Sequence, residues 1–224
     1  MVDKSFKIPL ITLDNLKQGT FLNRPNRFSS TIKYKNKIYS AHIHDPGRLN
    51  ELLIENSSVL FTESNGKLDF YIKAVKKDDE WVLIDTALHS RIALAVFKHV
   101  DDFKSVTYIH KEVKIGNSRI DFTLDDTPLE VKGVTLVKDN LALFPDAPTK
   151  RGTRHVQEII DHDGIVVFLV FRKAESFKPN WVTDRAFSNK LSEARKKNIP
   201  IYVIQLSFDG KTIFYEGRMP LSDF

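Results

Sequence analysis

The sequence predicts a mixed α+β / α/β chain in which a small β barrel precedes a mixed sheet flanked by helices. Three observations carry this. Up to residue 75, apolar residues recur at the spacing of half-buried strands and are separated by polar turn signals. A charge run, Lys76-Lys77-Asp78-Asp79-Glu80, then interrupts the pattern and reads as a solvated turn or boundary. Beyond it, helical stripes alternate with short continuous apolar runs, the pattern of buried parallel strands joined by helices. The expected domains are residues 1–78 and 79–224.

In the first domain, Ile32-x-Tyr34 and Ile38-x-x-Ala41-x-Ile43 flank Lys35-Asn36-Lys37 and predict a hairpin with a short polar turn. Asp45-Pro46-Gly47 is a turn, and residues 48–54 are expected to form a short helix. Strands follow at 59–61 and 68–75 around an Asn65-Gly66 turn, which gives a barrel or partial barrel. The second domain is expected to open with a helix capped by Asp85 and striped by Leu88, Ile92, Ala95 and Val96. Strands at 108–115, 119–124 and 130–137 come next. Thr149 is suited to cap a helix running through Val156, Ile159 and Ile160 to a stop at Gly164. Strands at 165–171 and 199–206 then enclose a basic helix at 184–197, a strand-helix-strand unit with a parallel pair.

With 224 residues and 42% hydrophobic content, the chain can bury a sizeable core unaided. The absence of cysteine excludes disulfides and thiolate metal ligands. Its longest apolar runs stop at strand length, and residues 1–20 lack a basic head followed by an apolar core, so a cytoplasmic protein without a membrane partner is expected. The net charge of +5 is unevenly spread: residues 20–50 hold Arg24, Arg27, Lys33, Lys35, Lys37 and Arg48 against one acid, Asp45. Guanidinium groups reach phosphates and aromatic faces stack bases, so DNA or RNA is the expected partner, with Arg24, Arg27 and Arg48 on phosphate. Among the interleaved Phe21, Phe28, Tyr34 and Tyr39, the two phenylalanines have a place in the core as their alternative.

The chemistry-bearing stretch is residues 119–132. Residues two apart on a strand share a face, so Glu130 and Lys132 project together while Val131 turns into the core. Asp125-Asp126-Thr127-Pro128 has turn composition and folds the two segments back, bringing Asp121 near Glu130. Mg²⁺ takes one or two carboxylates and completes its shell with water and substrate phosphate. Asp121 and Glu130 are therefore the expected ligands for Mg²⁺ or Mn²⁺, and Lys132 is placed to orient a water or neutralise the transition state. An ordinary strand with one solvated face shows the same alternation.

A longer signature surrounds the triplet: Ser118-Arg119-Ile120-Asp121-Phe122, Glu130-Val131-Lys132, Val134-Thr135-Leu136, Phe144-Pro145-Asp146-Ala147, Thr149-Lys150-Arg151-Gly152 and His155. With Phe21-Leu22-Asn23-Arg24-Pro25-Asn26-Arg27-Phe28 and His44-Asp45-Pro46-Gly47-Arg48-Leu49, it makes the chain resemble the sugar fermentation stimulation protein (SfsA) family over most of its length. The resemblance implies an OB-like nucleic-acid-binding domain joined to a PD-(D/E)XK nuclease-like domain of restriction-endonuclease-like fold. It makes Asp121, Glu130 and Lys132 the active-site triplet. Ile120 departs from the wider nuclease motif, in which a proline often precedes the Asp.

Prolines around Asp146 deliver the chain to a helix amino terminus, which favours anions. Residues 146–155 are accordingly expected to form a phosphate-facing wall with Arg151, Arg154 and His155, the last as proton shuttle or phosphate donor. Asp146 has local loop stabilisation as its alternative. Many related nucleases add an acid from the first helix, whereas residues 86–100 contain none and only Asp85 is near. Two function classes follow. One is a metal-dependent nuclease; the other is a regulatory nucleic-acid-binding protein with a vestigial site. A zinc hydrolase ranks behind both, because the seven histidines lack ligand spacing. DNA or RNA, single or double strand, and end or internal cleavage remain open alternatives at this point.

Overall fold

The computed structural model describes residues 7–224, which form two compact units. The first comprises the described residues up to Leu88 together with 206–216; the second comprises 89–205 and 217–224.

In the first unit, β1 (Ile8–Thr12) pairs antiparallel with β16 (Thr212–Arg218). The strands β2 (Lys17–Asn26), β3 (Ser29–Tyr34), β4 (Lys37–His42), β5 (Ser58–Glu63) and β6 (Phe70–Lys77) run in the spatial order β4-β3-β2-β5-β6. A parallel pairing of β4 with β6, Ala41↔Phe70 and His42↔Tyr71, closes them into a five-stranded barrel. Alternation supplies its interior: Phe21, Ile32, Ala41, Val59, Phe61, Ile72 and Ala74 are all buried. The expected hairpin turns at Lys35 and Asn36, both at positive φ (47° and 62°), a geometry whose twist matches that of the flanking strands.

One segment differs from expectation, and the charge run takes the turn form of its two expected readings. Residues 48–54 form turns, because Leu49 takes a positive φ of 51° that interrupts a right-handed helix, and Leu49 and Leu52 bury fully instead. The charge run is the turn of a hairpin between β6 and β7 (Glu80–Leu83), paired Lys77↔Glu80 and Ala74↔Leu83. It therefore lies inside the first unit, and the chain passes to the second only after Leu88. Residues 206–216 also belong to the first unit. There Phe208 and Ile213 are buried, and Gly210, at φ 97°, lies so close to Trp81 that a Cβ would meet the indole at 3.0 Å.

In the second unit, α1 (His89–Phe97) precedes β8 (Ile109–Ile115), β9 (Ser118–Leu124) and β10 (Thr127–Val134). β13 (Ile165–Val170) and β15 (Ile201–Phe208) complete a mixed sheet in the order β15-β13-β10-β9-β8. β10, β13 and β15 are parallel; β8 and β9 are antiparallel. Phe97 of α1 meets Phe122 edge-on at 5.4 Å. Val156, Ile159 and Ile160 of α2 (Lys150–Asp161) join Phe187 and Leu191 of α3 (Arg185–Lys196) over Val166, Phe168 and Val170 of β13. A small sheet of β11 (Leu136–Lys138), β12 (Leu141–Phe144) and β14 (Ser176–Pro179) leads into α2 and α3.

Both caps are made by side chains: Thr149 accepts from Gly152 N (3.0 Å) and Asp184 from Phe187 N (3.0 Å). The second Asp184 oxygen accepts from Thr149 N at 2.7 Å, so one carboxylate secures the start of both helices. No described helix is long and apolar enough to cross a membrane.

Candidate active site

β9 and β10 pair in register from Leu124↔Thr127 to Phe122↔Leu129, folded back through Asp125 at φ 51°. Beyond that point side chains replace backbone carbonyls as acceptors. Val131 N donates to Asp121 Oδ2 at 2.8 Å, and Asp121 N donates to Glu130 Oε2 at 3.3 Å. Each carboxylate is thus tied to the opposite strand, which sets the two acids side by side as the sequence predicted.

Glu130 is 1% exposed. Its Oε1 contacts both Lys132 Nζ, from the same face of β10, and His155 Nδ1, from α2. Arg151 Nε donates to His155 Nε2 at 3.2 Å, so Nε2 is the acceptor and the ring hydrogen sits on Nδ1, directed at Glu130. Burial by itself would raise the Glu130 carboxyl; Lys132 and His155 more than offset it and hold the group below the ordinary range. Asp121 goes the other way. Its burial, and next the Glu130 charge, push it above the ordinary carboxylate range despite Lys132.

The wall expected over residues 146–155 is redistributed. His155 is 2% exposed with both ring nitrogens committed, so its expected contact with phosphate is corrected: it is a clamp on Glu130. The i, i+4 spacing of Arg151 and His155 was the sequence signal for that relay. Arg151 and Arg154 are exposed, and Arg154 Nε donates to Ser118 Oγ at 3.2 Å. Asp85, the acid nearest the first helix, is fully buried within the first unit and engaged by Lys73 Nζ at 2.6 Å. His89 of α1 lies against Gly133, where a Cβ would collide with its ring, and stacks on Phe171.

In the barrel, the three arginines expected on phosphate separate. Arg24 Nη1 donates to Gly47 O and Arg48 O (both 2.8 Å), and Nη2 donates to Arg27 O (2.6 Å) and Asp45 O (3.0 Å). Its terminal donors are therefore used on backbone carbonyls, and the expected phosphate role gives way to a structural one. Arg27 and Arg48 are exposed. Phe21 is core and Phe28 is 47% exposed.

Among the described residues no group of three or more His, Asp or Glu is arranged as a metal cage. Two adjoining carboxylates fit a hard divalent cation that draws its other ligands from water and phosphate.

Residues 83–212 match the family description "Sugar fermentation stimulation protein RE domain", and residues 22–84 match "SfsA N-terminal OB domain". A sugar fermentation stimulation protein homolog of Thermosipho melanesiensis is 38% identical over 221 residues, covering 95% of this chain and 97% of that one. One from Thermoplasma volcanium is 41% identical over 204 residues, covering 88% and 91%. The solved structure titled "The structure of Pyrococcus Furiosus SfsA in complex with Ca2+" superposes with a TM-score of 0.90 at 25% identity, covering 96% of this chain and 100% of that one. With both matched regions coinciding with the barrel and the mixed sheet, the chain belongs to the sugar fermentation stimulation protein (SfsA) family.

Proposed function

We propose that this chain binds DNA or RNA in the cytoplasm and hydrolyses its phosphodiester bonds, with Mg²⁺ or Mn²⁺ held by Asp121 and Glu130 in a PD-(D/E)XK nuclease-like second unit. The observation that carries the reading is a buried carboxylate, Glu130, and a half-buried one, Asp121, held side by side by the opposing strands. The Pyrococcus furiosus relative is titled as a complex with Ca²⁺, a hard cation of the class that carboxylates take, which supports the reading.

When bound, the cation supplies a water of lowered pKa and withdraws charge from the phosphoryl oxygens. The chain's own groups divide the remaining work. His155 and Arg151 hold Glu130 in one orientation. Lys132 brings an ammonium to the same carboxylate, where it would offset negative charge developing on a bound phosphate. Arg151 and Arg154 use Nε internally and keep their terminal nitrogens for the strand backbone. Arg27 and Arg48 supply affinity independent of base sequence. One observation favours a non-cleaving regulatory protein instead: Asp85 is spent within the first unit, leaving two acids where related nucleases often have three.

The test compares wild type with Asp121→Ala on labelled single- and double-stranded substrates in Mg²⁺, Mn²⁺ or chelator. Cation-dependent cleavage in the wild type, lost in the variant while binding in chelator persists, is expected. Binding without cleavage supports the regulatory reading. Equal residual cleavage in both proteins marks a contaminant and overturns the nuclease reading.

A further inference from the structure

The loop joining β2 to β3 and the seam that closes the barrel bring four rings together that are scattered in sequence. Phe28, 47% exposed, lies nearly parallel to His42, with centroids 6.2 Å apart and planes at 15°. His42 and Tyr71 are partners in the parallel β4–β6 pairing, their rings 6.0 Å apart. His44 closes the group at 4.7 Å from His42 and 4.9 Å from Tyr71. Tyr71 is held by a bond from its hydroxyl to Asn65 Oδ1 (2.7 Å), and Lys73 Nζ lies 5.4 Å from the Tyr71 ring. Exposed Arg27 precedes Phe28 in the chain, and exposed Arg48 follows His44 on the next loop.

We propose that Phe28, His42, His44 and Tyr71 form a base-stacking platform for single-stranded nucleic acid, with Arg27 and Arg48 on its phosphates. This rests on the reading that the chain binds nucleic acid, and adds which form of it the barrel takes. Stacking needs an exposed π-face. In a duplex the base faces are covered by their neighbours, whereas an unpaired strand presents them to aromatic rings between cationic groups. The cations suit a polyanion, since residues 20–50 carry six Lys and Arg against one acid. Burial first, then the neighbouring His44, lowers the His42 pKa, which favours the neutral ring that stacks as an arene. Tyr34 and Tyr39, by contrast, pack against Phe70, and Phe21 is core, so of the four aromatics interleaved with the basic residues Phe28 alone joins the platform.

The experiment uses the full chain in chelator, so that binding is read without cleavage. Fluorescence anisotropy follows a labelled thymidine oligodeoxynucleotide, the abasic strand of equal length, the ribo-oligonucleotide of matching bases, and a duplex. Wild type should bind both base-bearing single strands more tightly than the abasic strand or the duplex. Phe28→Ala should weaken base-bearing strands roughly five- to a hundred-fold and leave the abasic strand unchanged. Phe28→Leu, which keeps apolar bulk without a ring, should behave like Phe28→Ala, and Phe28→Trp should restore binding. Preference for one sugar with the same response to Phe28 identifies the strand as DNA or RNA and supports the platform. Equal wild-type affinity for base-bearing and abasic strands, or Phe28→Ala binding as well as wild type, overturns the platform while leaving nucleic-acid binding intact. Failure to bind any strand overturns both.

Discussion

Glu130 in the second unit and Asp85 in the first are buried carboxylates furnished with the same types of partner. Glu130 has Lys132 and His155; Asp85 has Lys73 Nζ at 2.6 Å and His44 Nδ1 at 2.8 Å, the latter in contact but off the hydrogen-bonding direction. Their surroundings separate them. Asp85 Oδ1 also accepts from Ala87 N at 3.2 Å, so its oxygens are absorbed by an ion pair and a helix entry. Glu130 instead adjoins a second acid, Asp121, whose carboxyl is held above its ordinary range by burial and by that neighbour. A carboxylate, a lysine and a histidine therefore make a structural lock in one unit. The added carboxylate is what supports the proposal of a cation in the other.

Removing one acid from each unit tests this difference most strongly. Glu130→Gln should reduce cation-dependent cleavage to background. Asp85→Ala should leave the rate of folded protein unchanged but destabilise it by about 3–5 kcal/mol, because Lys73 loses its buried counter-charge. Paired urea unfolding and cleavage assays check both, and a cleavage loss in folded Asp85→Ala would erase the distinction. Lys132→Met comes next, with an expected loss of about 10²–10³ in rate at little cost in packing. An unaltered single-turnover rate would make Lys132 as structural as Lys73.

The pH response sharpens the comparison. A cation binds the ionised form of Asp121, so affinity for Ca²⁺, measured by calorimetry without nucleic acid, should climb as pH rises through the raised Asp121 pKa and then level off. Asp121→Asn should flatten that rise. The folding contribution has the opposite sign: the folded chain holds the Asp121 proton more tightly than the unfolded chain. That stability is fully present below the unfolded carboxylate value and lost as pH rises to the folded one. A smaller contrast lies in the barrel. Arg24→Ala should cost about 1–3 kcal/mol by removing the charged donor that ties the carbonyls of Arg27, Asp45, Gly47 and Arg48 together. Arg27→Ala should preserve stability and flatten the log-log salt slope on a single strand by about 0.7. Matching salt slopes for wild type and Arg27→Ala would place the phosphate contacts elsewhere.

The candidate site was legible where its geometry is local. Glu130 and Lys132 share a face because strand side chains alternate, and Arg151 and His155 meet because helical neighbours recur at four residues. Asp125-Asp126 announced the turn that brings Asp121 back. The errors fall where the partner is distant. Arg24 is a cation beside a turn in the sequence, and nothing nearby indicates that carbonyls at 45–48 consume it. His155 carried the chemistry of a phosphate donor until Glu130, twenty-five residues away, engaged its ring. His42 and His44 share strand parity, yet their link to Tyr71 required the barrel to close.

By itself the sequence determined the barrel followed by a mixed sheet, the hairpin at Lys35-Asn36, the helix capped by Thr149, the basic helix from Asp184, and the carboxylate pair on adjoining strands. Each depends on a period or turn chemistry carried by residues within a few positions of one another. Tertiary structure decided that residues 206–216 return to the first unit, that Leu49 ends any helix after the Asp45 turn, and that one histidine clamps an acid while another joins a cluster of rings. Those outcomes turn on which buried polar group finds which donor or acceptor, and that is settled only when distant segments exclude water together.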